Sequence, residues 1–203
     1  MEKKATSFIL DSIGIFLIFI SILRLFFLDG YETLPQFLWL CNHIPLVIGI
    51  AILFRNSFWL TAEFSFLFAG MLLWDIDFLA YFLFKKVIFE SALYIFNATG
   101  TMFFYLSTVL HLFTLPLAFT AIWLLKKPEP NAWKGSVVHA LVLMPLVAYI
   151  GEGYNINFFL KPNTTLILNF ALYPIALVIF YFCCFVIPTN LLIVKLLRIR
   201  KNR

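Results

Sequence analysis

Long apolar stretches broken by short polar islands dominate the chain. The apolar runs fall at 8–28, 37–54, 58–74, 102–125, 135–151 and about 166–194. About 20 residues at 1.5 Å each cross a hydrocarbon core of roughly 30 Å, so the pattern predicts six transmembrane helices. The first run follows Met1-Glu2-Lys3-Lys4, as the apolar part of a signal peptide does, but it contains Asp11 and Arg24 and ends in no small-residue cleavage site. It is expected to stay attached as an anchor. Between helices 3 and 4, residues 75–100 hold two shorter apolar pieces, Phe78 to Phe84 and Val87 to Phe96, split by Lys85-Lys86 and Glu90. Neither is long enough to span. The segment is expected to be partly helical and to lie in the interface or dip into the membrane.

Composition supports the same class. Of 203 residues, 63% are hydrophobic and 12% charged, where a soluble domain carries about a quarter of its residues as charges. A soluble globular enzyme, a disordered tail and a nucleic-acid-binding domain are excluded on that ground. The net charge of +5 is topological information, because Lys and Arg collect on the cytoplasmic side. With the N-terminus inside, Lys3, Lys4, Arg55, Lys126, Lys127, Lys134, Lys195, Arg198, Arg200, Lys201 and Arg203 fall inside, eleven of the 15 basic residues. A seventh span through 78–96 would put the Lys126-Lys127 turn and the Arg198-rich tail outside. The expected architecture is all-α: a polytopic membrane bundle of six helices with both termini cytoplasmic, residues 1–203 forming one integral membrane domain. A multi-pass protein of the cell membrane follows, the cytoplasmic membrane if the source is bacterial.

Polar groups at membrane depth are expensive and mark function by default. Six spans put Cys41, Asn42 and His43 at the outer end of helix 2, with Asp75 and Asp77 capping helix 3 outside. Glu152, Tyr154, Asn155 and Asn157 leave helix 5 on that side, and Lys161-Pro162 starts the entry to helix 6. His111 comes out about 9 Å below the outer interface by the helical rise, at a depth similar to Cys41. The inner half offers Thr61, Glu63 and His139, the last expected at the interface. Cys183 and Cys184 lie among Phe and Val and are expected to pack.

The stretch Leu38-Trp39-Leu40-Cys41-Asn42-His43, then Arg55-Asn56 and Phe66-Leu67-Phe68-Ala69-Gly70, resembles the second and third helices of the YwaF-like integral membrane proteins, bacterial relatives of a eukaryotic transmembrane acyltransferase. Ser107-Thr108-Val109-Leu110-His111 looks like that family's His-bearing helix. Gly151-Glu152-Gly153-Tyr154-Asn155-Ile156-Asn157-Phe158-Phe159-Leu160-Lys161-Pro162 looks like its loop before the last helix. Roughly residues 37–175 are covered. The resemblance implies a membrane fold of this kind and lipid acyl transfer.

Two functions are compatible with these residues. Acyl transfer from a phospholipid needs a nucleophile, a base and oxyanion donors. Cys41 is the candidate nucleophile and His111 the base, with His43, Tyr154, Asn155, Asn157 and Asp75 binding or orienting. His43, two residues along the helix from Cys41, points about 200° away from it. The alternative is a small-molecule-binding transport subunit or carrier without catalysis, which Pro45, Pro145, Pro174 and Pro188 would suit as helix breakers. Membrane lipids are the expected partners. No cofactor, metal or nucleic acid is implied.

Overall fold

The computed structural model describes residues 2–27, 35, 37–96, 99–150 and 173–201. Its helices are α1 (Glu2–Leu25), α2 (Leu40–Leu53), α3 (Ser57–Phe84), α4 (Leu93–Phe96), α5 (Met102–Leu125), α6 (Trp133–Ile150), α7 (Tyr173–Tyr181) and α8 (Ile187–Lys201). A π-helical turn, Phe182–Val186, joins α7 to α8. No strand occurs among the described residues, so the all-α expectation holds.

Among the described residues, five segments are long and apolar enough to cross a membrane: Lys4–Leu25, Ser57–Phe84, Met102–Leu125, Trp133–Ile150 and Tyr173–Arg200. Large apolar side chains such as Phe8, Phe19, Leu79, Leu141 and Ile179 stand exposed on their outer faces, where acyl chains rather than water would cover them. The chain is a multi-pass membrane protein by this measure. α2 has only 14 residues, about 21 Å of helix, which is less than the hydrocarbon thickness. It starts at Leu40, after the extended Trp39, so the predicted run from 37 is interrupted at Leu38 and Trp39. Leu38 packs instead against Leu143 and Val147 of α6.

Helix ends follow local chemistry. Asn56 caps α3 by accepting the Trp59 N–H at 3.1 Å, and Thr101 caps α5 through the Phe104 N–H at 3.1 Å. Each cap supplies an acceptor for an otherwise orphaned first-turn donor. The π turn sits just before Pro188, which has no N–H to give to the Cys184 carbonyl. The ladder slips there to the wider spacing, with the Ile187 N–H bonded to the Phe182 carbonyl. Cys183 and Cys184 are exposed on this turn, outside the packing expected of them.

The segment after residue 74 differs from expectation. α3 does not end there but runs ten residues further, so Phe78 to Phe84 belongs to a long helix and not to an interfacial piece. Asp77 is therefore inside a helix, and its fully buried carboxylate gathers the following loop. It accepts the N–H groups of Ile88 and Phe89 at 2.7 Å, the Ser91 N–H at 2.6 Å and the Ser91 hydroxyl at 2.7 Å. Phe96 of α4 then stacks on Tyr81, ring centroids 3.8 Å apart. Sequence reading stopped the helix at Asp75 because charges were taken as its end.

The basic positions gather at one end of the bundle. Arg55, in the turn between α2 and α3, pairs with Asp11 of α1 at 2.7 Å and donates to the Ser7 hydroxyl. Ser57 of α3 donates to Glu129, which also pairs with Lys127 at 2.9 Å, and Asn190 of α8 donates to the Glu129 carbonyl. Arg200 bonds the Trp123 carbonyl and lies over the Trp123 ring at 4.2 Å. α1, α3 and α6 thus begin, and α2 and α5 end, toward the same end of the bundle, where Asn190 and Arg200 of α8 also lie.

Candidate functional site

Just before α2 the chain leaves helical geometry at Leu38 and Trp39, and the Trp39 carbonyl already accepts the Asn42 N–H at 2.9 Å. His43 supplies a further donor: its Nδ1 lies 2.9 Å from the Phe37 oxygen and 3.0 Å from the Trp39 oxygen. Its Nε2 faces Nε2 of His139, on α6, at 3.0 Å. His139 Nδ1 in turn lies 2.7 Å from Oε2 of Glu63, on α3. A chain of three titratable groups therefore joins three helices. His43 and Glu63 are buried and His139 nearly so.

The sequence puts His43 and His139 toward opposite ends of their helices, and the structure corrects that separation, because their Nε2 atoms lie 3.0 Å apart. Glu63 and His139 are each six residues into helices that start at the same end of the bundle. That equal register was the signal available in the sequence.

Beside this chain lies a cavity of about 120 Å³ between α2, α3, α6, α7 and the π turn. Leu40, Phe66, Leu143, Met144, Tyr181 and Phe182 are among its walls. Phe66 separates it from the histidines, its ring 5.4 Å from that of His139. The Tyr181 hydroxyl turns away to donate to the Phe66 carbonyl at 2.5 Å, so the wall presents almost entirely carbon.

No hydrogen bond joins the candidate nucleophile Cys41 to the candidate base His111. The Cys41 thiol is half-buried and donates to Oδ1 of Asn42 at 3.4 Å. His111 is fully buried elsewhere, stacked on Trp74 with ring centroids 4.1 Å apart. Its Nδ1 lies 2.7 Å from the Ser107 carbonyl, and its Nε2 makes no hydrogen bond among the described residues. Both ring nitrogens of His43 are engaged as described, leaving neither for Cys41. Asp75 is half-buried on α3, next in sequence to Trp74. Tyr154, Asn155 and Asn157 lie outside the described residues, as do Glu152, Lys161 and Pro162.

A second polar cluster, missed in the sequence, surrounds His111. Arg24 of α1, 1% exposed, donates through Nε to the Ser107 hydroxyl at 2.7 Å and lies over the Phe103 ring at 4.8 Å. Phe103, Ser107 and His111 recur at four-residue spacing on one face of α5, which is the available signal. Among the described residues, no group of three or more His, Cys, Asp or Glu is placed to hold a metal ion. No protein-family model matches the chain, and no curated protein or solved structure matches it either.

Proposed function

We propose that this protein is an intramembrane binding protein, a carrier or the membrane subunit of a transporter, whose ligand places a slender apolar group in the cavity between α2, α3, α6 and α7. The observation that carries this reading is the carbon-walled cavity at the irregular start of α2. Helices that begin within the membrane recur at the binding sites of carriers. A cavity of about 120 Å³ is close in size to the roughly 150 Å³ apolar cavity that stays dry and takes benzene, so an acyl chain end or a small ring suits it. Six crossings, cytoplasmic termini, residence in the cell membrane and kinship with the YwaF-like proteins belong to the same proposal.

A photoreactive fatty acid carrying a terminal diazirine, added to the protein in lipid nanodiscs, tests it. Adducts should concentrate on the peptides bearing Leu143, Met144 and Leu177 to Phe182 and should be lost in Ala140→Phe, whose ring fills the cavity. Labelling spread evenly over the lipid-facing residues, unchanged by Ala140→Phe, would exclude a dedicated site. Acyl transfer through Cys41 and His111 makes a different demand, a thioester on Cys41 that hydroxylamine removes. The Cys41 hydrogen bond to Asn42 supplies no base for that step, so such an adduct on Cys41 would reverse the order of the two readings.

A further inference from the structure

The directions of the hydrogen bonds in the Glu63–His139–His43 chain follow from donor and acceptor counting. Carbonyl oxygens only accept, so His43 Nδ1, facing two of them, carries its hydrogen. With His43 neutral, its Nε2 is a lone pair and must receive the Nε2–H of His139 across 3.0 Å. One proton then remains to be shared between His139 Nδ1 and Glu63 Oε2 across 2.7 Å.

We propose that Glu63, His139 and His43 form an intramembrane proton relay that moves one positive charge between α3 and α2. In the first state Glu63 is a carboxylic acid donating to a neutral His139. Transfer of the Oε2 proton to Nδ1 gives a carboxylate and an imidazolium on His139. Transfer of the Nε2 proton of His139 to Nε2 of His43 then leaves His139 neutral, with its hydrogen on Nδ1, and makes His43 the imidazolium. No proton enters or leaves, the sum of charges is zero in all three states, and every hydrogen bond keeps a donor and an acceptor.

That neutrality matters where these groups lie. A lone buried charge costs several kcal/mol, and here each positive charge arises only together with the Glu63 carboxylate. Chains of acidic and histidine side chains within membrane helices are the usual form of proton pathways. Asp75, Asp77, Tyr81, Lys134, Tyr149 and Tyr173 lie elsewhere along α3, α6 and α7, while Cys41 is bonded to Asn42 and Tyr181 to the Phe66 carbonyl. None enters the chain. The relay does not depend on the cavity's ligand, so either proposal can fail alone.

The chain has three histidines, few enough for direct observation by solid-state NMR of ¹⁵N-histidine-labelled protein in bilayers, with His111→Asn removing the third ring. The expected spectrum shows proton exchange at both nitrogens of His139 and a permanently protonated Nδ1 on His43. Glu63→Gln should abolish the exchange, because the Gln amide only donates a fixed hydrogen or accepts one and cannot pass a proton on. His139 should then collapse to one neutral tautomer. Infrared spectra should lose, in the same variant, a protonated-carboxyl band that shifts in D₂O. A wild-type His139 held in one fixed protonation state, which Glu63→Gln leaves as it was, would overturn the relay; unchanged backbone shifts in the variant would show that its fold is kept.

Discussion

Asp77 shows how much one buried carboxylate can organise. Four donors from Ile88, Phe89 and Ser91 converge on its two oxygens, and hydrogen bonds to a charged group contribute about 1.5–3 kcal/mol each. Asn in its place keeps the shape but turns one oxygen into a donor that faces donors. Asp77→Asn should therefore speed hydrogen exchange at residues 88–92 by at least tenfold, since about 1.4 kcal/mol is a factor of ten. Exchange there at the wild-type rate would mean that the loop is held by the Phe96 stacking alone. The sequence disclosed the polar residues but not their partners. Asp75 and Asp77 read as helix-end charges because hydropathy counts a carboxylate as a cost, blind to the N–H groups eleven to fourteen residues later that neutralise that cost. Cys41 and His111 pair in the sequence by equal depth alone, while their hydrogen bonds run to Asn42 and to the Ser107 carbonyl.

Helix contacts were legible in outline and not in detail. Run lengths located the long helices among the described residues, but the run from 37 is longer than α2 because hydropathy does not register the break in helical backbone at Leu38 and Trp39. α1 and α2 approach so closely that a Cβ on Gly49 would lie 2.8 Å from the Gly14 carbonyl oxygen and 3.1 Å from the Ile18 nitrogen. A single glycine on each helix suffices for close approach, where the usual motif has two on one helix. Backbone atoms give way less readily than side-chain ends, and overpacking a tight contact costs typically 1–3 kcal/mol. Gly49→Ala should lower the unfolding midpoint in detergent clearly, whereas Gly70→Ala, whose Cβ meets only the Tyr181 oxygen at 4.0 Å, should leave it unchanged or raise it. Equal midpoints for the two variants would show that α1 and α2 separate without cost.

The contacts at one end of the bundle and the charges there bear on the proposed topology. Ser7 and Asp11 of α1 meet Arg55, while Asn190 of α8 meets the Lys127–Glu129 turn. The start of α1 and α8 thus lie toward one end of the bundle, as the proposed six crossings, with the short α2 as one of them, require. Arg55, Lys126, Lys127, Lys134, Lys195, Arg198 and Arg200 cluster at that end, against Lys85 and Lys86 at the other. An excess of Lys and Arg in short loops marks the cytoplasmic face, so the terminal end should face inward. Two exposed positions separate the alternatives: Glu90 beyond α3 and Asn131 in the turn before α6. With Cys41, Cys183 and Cys184 replaced by serine, a cysteine substituted for Glu90 should react with a membrane-impermeant maleimide in intact cells, and one substituted for Asn131 only after permeabilisation. The reverse pattern would invert the bundle, and reaction of both in intact cells would break the six-crossing topology. The Glu63 end of the proposed relay lies six residues into α3 from the basic end, about 9 Å of helix. The orientation therefore also decides from which side of the membrane Glu63 would exchange its proton.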